Sequence, residues 1–125
     1  MFRLKENSYG SYYFRKLKPV ISMEDMLDTL NYFKNTEGLP SKLNILEDAR
    51  DVKVKFSIKE IPDIMREAVL IMKKYEVVKH AIVYNSAIYT AYGLLAEKLV
   101  SRGNYYLRVY SSMEAAEEWI KSDIL

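Results

Sequence analysis

The feature that most constrains this fold is a regular alternation of strand-like and helix-like segments along the 125 residues of the chain. Two aromatic-rich segments come first, and the turn-forming residues 7–10 between them predict an antiparallel hairpin. Every later strand-like segment is followed by a helix-like one, which implies parallel strands joined by right-handed crossovers. The strand-like segments are residues 1–6, 12–21, 43–46, 81–84 and 105–110. The chain is therefore expected to form an α/β fold with a single mixed, mostly parallel five-stranded sheet, an antiparallel N-terminal hairpin and four main helices.

Each predicted helix begins at a polar residue that can cap its first turn. Ser22 and Ser57 are each followed three residues later by an acidic residue, which is the capping-box pattern. Pro62 lies in the first turns of the second helix and predicts a late start or a 3₁₀ turn there. The apolar stripe predicted for the third helix is Ile88, Ala91 or Tyr92, Leu95 and Leu99. The four predicted caps are Ser22, Ser57, Asn85 or Ser86, and Ser111.

The composition is that of one folded domain spanning residues 1–125. Half of the residues are hydrophobic and 29% are charged, which excludes low-hydrophobicity disorder. The chain has no cysteine and one histidine, so a zinc site of the Cys/His type cannot form within one chain. The N-terminus carries charges where a signal peptide needs an apolar core, and no apolar run approaches the length of a membrane span, about 18 residues. We therefore expect a cytoplasmic protein with no integral membrane segment and with no metal or cofactor.

The net charge of +2 offers few contacts to phosphates, so nucleic acid is not an expected partner. The charges are unevenly spread along the chain. Residues 1–18 include five basic residues and one acidic residue, whereas residues 111–125 include four acidic residues and one basic residue. Such segments are usually solvated faces of opposite sign. Head-to-tail association or electrostatic steering of a partner is the alternative.

Polar residues at the carboxyl ends of parallel strands are where a ligand is first expected in an α/β fold. Asp48 and Arg50 could orient a ligand or a partner loop, because arginine offers a planar fork of donors. The alternative is a local ion pair that anchors the strand end. The polar residues at three such ends are Glu47, Asp48, Arg50 and Asp51, then Asn85 and Ser86, then Ser111 and Ser112. The candidate residues for binding a ligand or partner are Asp48, Arg50, Ser57, Asn85 and Ser86.

Serines at the predicted helix N-termini have two alternative roles. Ser57, Ser86 and Ser111 could accept a phosphoryl group or bind an anion, or they could simply cap their helices. His80 is predicted to be a surface or strand-edge histidine, and neither a nucleophile elbow nor a glycine-rich phosphate loop accompanies it. No residue is therefore predicted to be catalytic or to bind a metal.

The chain is rich in tyrosine, with eleven residues of this type. Tyr84, Tyr89 and Tyr92 lie around the start of the third predicted helix, and others lie on predicted strands. A tyrosine ring buries area while its hydroxyl stays in water, which suits both sheet packing and interfaces. Packing explains most of these tyrosines, and a tyrosine-lined binding face or homodimer surface is the alternative.

Four segments add a family resemblance to this pattern. They are residues 45–51 (ILEDARD), 56–61 (FSIKEI), 79–84 (KHAIVY) and 107–119 (LRVYSSMEAAEEW). Together with the order of elements, they resemble STAS-type, SpoIIAA-like domains, in particular small bacterial members of unassigned function. The last segment is similar to the family's closing strand, Ser/Thr cap and acidic helix that ends in Trp. The resemblance covers nearly the whole chain and implies a SpoIIAA-like fold.

The same resemblance carries functional implications. It implies a cytoplasmic module that binds a protein partner, as anti-sigma factor antagonists do, or in some relatives a small or lipidic ligand. In the regulatory members the switch is a Ser or Thr that opens the helix after the third strand, within an Asp-Ser-Ser/Thr-Gly motif. Ser57 occupies a similar place, but the Asp and the Gly of that motif are missing from residues 54–60.

The predicted function is a non-enzymatic cytoplasmic binding or regulatory module, similar to an anti-sigma-factor antagonist but without the usual phospho-switch motif. One alternative is a domain that binds a small molecule or a lipid. Another is an enzyme that works at the strand ends with Asp48 and Arg50 as its reacting groups. The lack of a nucleophile–base pair, of metal ligands and of a phosphate loop in the sequence favours binding over catalysis.

Overall fold

A computed structural model describes residues 2–7, 10–100, 103–123 and 125. Its strands are β1 (Arg3–Asn7), β2 (Gly10–Lys16), β3 (Val20–Ile21), β4 (Lys42–Asp48), β5 (Lys53–Val54), β6 (Val77–Val83) and β7 (Tyr105–Tyr110). Five of them form one sheet in the order β1-β2-β4-β6-β7, in which β1 is antiparallel to β2 and every other pair is parallel. The predicted mixed sheet with an N-terminal hairpin is thus confirmed. Ser8 and Tyr9, in the predicted hairpin turn, lie outside the described residues.

Four helices cover the two faces of this sheet, as predicted. They are α1 (Met23–Asn35), α2 (Ile61–Met72), α3 (Ala87–Leu99) and α4 (Met113–Lys121). Side chains of α1, α2 and α3 form one apolar cluster on one face of the sheet, whereas α4 forms a second cluster on the other face. A 3₁₀ turn at Ile58–Glu60 precedes α2, which confirms the prediction made from Pro62. None of the helices in the described part of the chain is long and apolar enough to cross a membrane.

The strand predicted over residues 12–21 is two separate elements in the structure. β2 ends at Lys16, and β3 leaves the main sheet to pair in parallel with β5. Pro19 lies between them and has no N–H to donate, so a central strand cannot continue through it. Its carbonyl accepts a hydrogen bond from the backbone N–H of Lys53 at 2.8 Å. This small pair fixes the chain just before the 3₁₀ turn.

Two central strands are longer than their apolar cores predict. β4 includes Glu47 and Asp48, which were predicted to follow it, and β6 begins at Val77 and so includes His80. Alternation along these strands turns Glu47 and His80 towards α1, α2 and α3, and turns Leu46 towards α4. Polar side chains can occupy these central strands because each of those on the buried faces has a partner inside the fold.

The buried face of α3 agrees only in part with the predicted stripe. Ile88 is 65% exposed and Leu99 is 45% exposed, whereas Gly93 and Ala96 are buried against the sheet. A Cβ atom at Gly93 would lie only 2.5 Å from Cγ2 of Val109 on β7. Small residues therefore face the sheet because α3 approaches β7 closely. Of the predicted stripe, Tyr92 and Leu95 are partly buried and pack against the core, whereas Ile88 and Leu99 lie outwards.

Candidate functional site

Asp48 and Arg50 form a local ion pair at the end of β4. The Asp48 carboxylate accepts hydrogen bonds from Nε of Arg50 at 2.9 Å, from Nη2 at 3.0 Å and from the Arg50 backbone N–H at 3.1 Å. Hydrogen bonds from Arg50 lower the pKa of Asp48. Lys16 on β2 lies 3.5 Å from the same carboxylate. Asp48 and Arg50 therefore form a local ion pair at the strand end, which was one of the two alternatives given for them.

Asn85 ties two loops together rather than capping α3. Its Oδ1 accepts a hydrogen bond from the backbone N–H of Asp51 at 2.9 Å, and its Nδ2 donates to Oδ1 of Asp51 at 2.8 Å. Asp51 has a φ of 64°, in the left-handed region that residues other than glycine seldom adopt. The paired side chains join the loop that follows β4 to the loop that follows β6, and they hold Asp51 in this conformation.

The three serines cap or flank helices, and one predicted cap is wrong by one residue. Ser86 accepts a hydrogen bond from the backbone N–H of Tyr89 and caps α3. Ser57 accepts from the backbone N–H of Lys59 at 3.1 Å, and the carboxylate of Glu60 accepts from Ser57 N–H at 3.2 Å. The cap of α4 is Ser112 and not Ser111, because only the conformation of Ser112 brings its hydroxyl to the first turn.

The predicted site residues divide into two groups. Asp48, Arg50, Asn85 and Ser86 lie together at the carboxyl edge of the sheet, where β4 and β6 end. Ser57 lies elsewhere along the chain, and within the described residues no hydrogen bond or ion pair joins it to the other four.

A second polar cluster lies inside the fold and was not predicted. His80 is only 7% exposed, so its prediction as a surface or strand-edge residue is wrong. Its Nε2 lies 2.5 Å from Oε1 of Glu47 on β4, and its Nδ1 lies 2.6 Å from the hydroxyl of Tyr105 on β7. Three neighbouring parallel strands therefore contribute a carboxylate, an imidazole and a phenol in a continuous hydrogen-bonded chain, which we call the Glu47–His80–Tyr105 chain.

Arg15 and Thr29 extend this chain towards the surface. Arg15 donates to Oε2 of Glu47 from Nε at 2.9 Å and from Nη2 at 2.7 Å, and Nη2 also donates to Oγ1 of Thr29 at 2.6 Å. The Thr29 hydroxyl in turn donates to the carbonyl of Asp25 at 3.0 Å, one turn earlier in α1. The guanidinium of Arg15 also stacks over the ring of Phe2, 4.5 Å from its centroid. Both oxygens of the buried carboxylate are thus engaged.

The electrostatics of the cluster keep Glu47 ionised and the nearby phenols neutral. Burial by itself would raise the pKa of Glu47, but the charge of Arg15 and the hydrogen bond from His80 outweigh it and lower that pKa to about 2. Burial, together with the negative charge of Glu47, raises the pKa of Tyr105 and of Tyr84 above the ordinary value. The cluster therefore contains one fixed anion, one fixed cation and protonated tyrosines.

A cavity of about 60 Å³ lies between this cluster and the three helices α1, α2 and α3. Most of its lining is apolar, and its polar groups come from Thr29, Glu47, His80 and the three tyrosines Tyr84, Tyr92 and Tyr105. Lining residues that are only half-buried mark its solvent side; they are Met26, Val54, Phe56, Tyr84 and Tyr92. The volume exceeds the ~10–15 Å³ that one water molecule needs, so the cavity has room for a very small ligand.

The chemistry open to this site is mainly hydrogen bonding. A hydroxyl, an imidazole and a carboxylate in series resemble the order of a nucleophile, its base and an orienting group. Burial, however, raises the pKa of the Tyr105 hydroxyl, which disfavours the phenolate that an attack would need. Within the residues that the structure describes, no group of three or more acidic or histidine side chains has the arrangement to hold a metal ion. The site therefore offers apolar walls and a small set of hydrogen-bonding groups.

Sequence reasoning missed this site because its members come from separate strands. Glu47 was counted as the first residue after an apolar strand, and His80 as the residue before one. One available signal was spacing: Glu47 is two residues from the buried Ile45, and His80 is two residues from the buried Ile82. Period-two spacing places each polar residue on the same sheet face as its apolar neighbour.

Comparisons with known proteins bear on the fold. No family model matches the sequence, and no curated protein matches it. Among solved structures, the chain is similar to an uncharacterized protein from the DUF3478 family of Shewanella loihica PV-4, which has a SpoIIAA-like fold. The two chains share 12% sequence identity with a TM-score of 0.63, and the match covers 96% of this chain and 92% of the other. The resemblance expected from the sequence is confirmed at the level of architecture: this chain has a SpoIIAA-like fold.

Proposed function

We propose that this protein is a non-enzymatic binding module that holds a small, mostly apolar ligand in the cavity beneath α1, α2 and α3. The observation that carries the proposal is the cavity itself, which has apolar walls and a few polar groups that converge at the sheet. Ligand sites in proteins commonly combine an apolar lining with a small number of placed polar groups. The lack of cysteine fits a reducing, cytoplasmic setting.

The contacts of Ser57 weigh against a phosphorylated serine as the basis of function. The hydroxyl of Ser57 accepts from the first turn of its own helix, and Glu60 completes the capping box. A regulatory role in binding a protein partner remains a prediction from the family resemblance, and we give it second place.

The proposal can be tested by titrating isotope-labelled protein with pentane and with 1-butanol and following the backbone amide resonances. A ligand of five heavy atoms gains at most about 7 kcal/mol, so the Kd is expected to be micromolar at best and the titration must reach millimolar concentrations. Resonances of residues that line the cavity, such as Ala68 and Ala96, are expected to shift in a saturable way.

Two alanine-to-leucine variants on α3 form a matched pair for this experiment. Ala96→Leu places extra carbon atoms in the cavity, because Ala96 lines it and is 7% exposed. Ala91→Leu makes the same chemical change on the exposed side of the same helix. We expect Ala96→Leu to lose binding and Ala91→Leu to retain it. Unchanged binding in Ala96→Leu, or no saturable shift with either compound in the native protein, would refute the proposed function.

A further inference from the structure

We infer that the polar end of the cavity ligand is an uncharged hydrogen-bond donor, such as an alcohol hydroxyl, which donates to the phenolic oxygen of Tyr105. This inference rests on the proposed function, because it specifies which ligands the same cavity selects. It follows from how protons must be arranged along the Glu47–His80–Tyr105 chain.

The first step is the proton on His80. Glu47 is held as a carboxylate by the two hydrogen bonds from Arg15, and a carboxylate can only accept hydrogen bonds. Nε2 of His80, 2.5 Å from Oε1 of Glu47, must therefore carry a hydrogen. The carboxylate thus assigns the tautomer of the imidazole.

The second step is the proton on Tyr105. In the uncharged imidazole with hydrogen on Nε2, Nδ1 is an acceptor, and the Tyr105 hydroxyl at 2.6 Å donates to it. A doubly protonated ring would instead donate to Tyr105, and within the described residues the Tyr105 hydroxyl makes no second hydrogen bond that could take up its own hydrogen. The uncharged arrangement satisfies both groups. It uses the only hydrogen of Tyr105, so the phenolic oxygen retains only acceptor capacity for a ligand.

The third step is the balance of charge. The positive charge of Arg15 and the negative charge of Glu47 offset each other. Apart from His80, no basic side chain of the described residues lines the cavity. An anionic ligand would therefore lie near a carboxylate with no cation to balance it, and a buried unpaired charge is strongly unfavourable. An uncharged donor fits both the free acceptor on Tyr105 and this balance.

The test compares two isomers, 1-butanol and methyl propyl ether, which differ in that only the alcohol can donate a hydrogen bond. We expect the affinity for 1-butanol, divided by the affinity for methyl propyl ether, to be about tenfold lower in Tyr105→Phe than in the native protein. Comparing ratios removes the difference in hydration of the two ligands. Butanoate is expected to bind at least tenfold more weakly than 1-butanol at pH 7.

Tyr75→Phe is the matched control. Tyr75 is also buried and donates its hydroxyl hydrogen to the carbonyl of Phe33 at 2.9 Å, but it does not line the cavity. The ratio of the affinities for 1-butanol and methyl propyl ether should be the same in Tyr75→Phe as in the native protein. An unchanged ratio in Tyr105→Phe, or butanoate binding as tight as that of 1-butanol, would overturn the inference. If neither isomer nor pentane binds, the proposed function fails as well.

A second measurement holds even if Tyr105→Phe does not fold. The chain has one histidine, so the ¹⁵N resonances of its imidazole belong to His80 alone. At pH 7 they are expected to show an uncharged ring with hydrogen on Nε2 and none on Nδ1. A ring protonated on both nitrogens, or on Nδ1 alone, would contradict the inference irrespective of any binding result.

Discussion

Replacing Glu47 with glutamine tests whether the buried carboxylate organises the interior. The change keeps the side-chain volume and removes the negative charge of Glu47, which contacts both Arg15 and His80. Removing one partner of a buried ion pair typically costs about 3–5 kcal/mol, because the other charge stays buried without compensation. The Arg15 side chain is 18% exposed, so water can reach part of it. We therefore expect Glu47→Gln to lower the free energy of unfolding by about 3 kcal/mol, at the lower end of that range.

A double-mutant cycle with Arg15→Met isolates the interaction between the two residues. Urea unfolding would give the free energy of the native protein, of Glu47→Gln, of Arg15→Met and of the double variant. Each single variant leaves one unpaired group. The loss of unfolding free energy in the double variant should therefore be smaller than the sum of the two single losses by at least about 1 kcal/mol. Strictly additive losses would refute the idea that Arg15 and Glu47 stabilise the fold as a pair.

Acid titration of the same variants examines the lowered pKa. The pKa of Glu47 is about 2 in the folded chain, against an ordinary value of 4.5. A lowered folded-state pKa stabilises the protein fully above pH 4.5, and this stabilisation is lost as the pH falls from 4.5 towards 2. The stability difference between the native protein and Glu47→Gln should therefore shrink over this interval. Asp25 also has a lowered pKa of about 2 but is present in both proteins, so its effect cancels. A difference that stays constant with pH would contradict the assignment.

Substitutions centred on Ser57, Gly93 and Lys79 probe local features by thermal or urea unfolding. Ser57→Ala should lose about 1 kcal/mol because the cap of the 3₁₀ turn is removed, and Ser57→Asp should be tolerated because a carboxylate also caps; equal stability of Ser57→Ala and the native protein would contradict the cap. Gly93→Ala gains about 1 kcal/mol of helix propensity but should lose about 1–3 kcal/mol by overpacking, so a net loss is expected, and adding Val109→Ala should relieve it. The reason is the 2.5 Å approach to Val109, and a stabilised Gly93→Ala would show that α3 moves away freely. Lys79→Met should cost about 1–3 kcal/mol and speed hydrogen exchange at the end of α4, since it removes the donor to one buried and one partly buried carbonyl. Those carbonyls belong to Trp119 and Ser122, each 2.7 Å from Nζ of Lys79, and unchanged exchange would argue against this role.

Features set by near neighbours in the chain could be predicted from the sequence. The capping boxes at Ser22 and Ser57 form as expected, because each needs only residues within one turn. The turn before α2 follows from Pro62 for the same reason. The order of the five main-sheet strands and the four helices depends on local periodicity and was also predicted, whereas the short strands β3 and β5 were not.

Features set by distant contacts could not be predicted. Glu47 and His80 are 33 residues apart in the chain, and only the pairing of β4 with β6 brings them together. Gly93 on α3 is likewise buried because β7 approaches the helix closely there, and the apolar stripe of the helix did not predict this. Each strand end was judged by hydrophobicity, although its polar residues are buried with partners from other strands.

The consecutive charged residues at the end of β4, Glu47 and Asp48, also affect the alignment of β2 on β4. Both faces of this sheet are covered by apolar side chains, so hydrophobicity alone discriminates weakly against a shift of β2 by one residue. In the native alignment Arg15 lies beside Glu47 and Lys16 lies beside Asp48. A shift of one residue would turn Arg15 to the face of α4 and leave the buried carboxylate of Glu47 with His80 as its partner but without the cation beside it. The ion pairs therefore favour the native alignment of β2 on β4 over the shifted one. Removing them should increase the number of alignments sampled during folding before it alters the native fold.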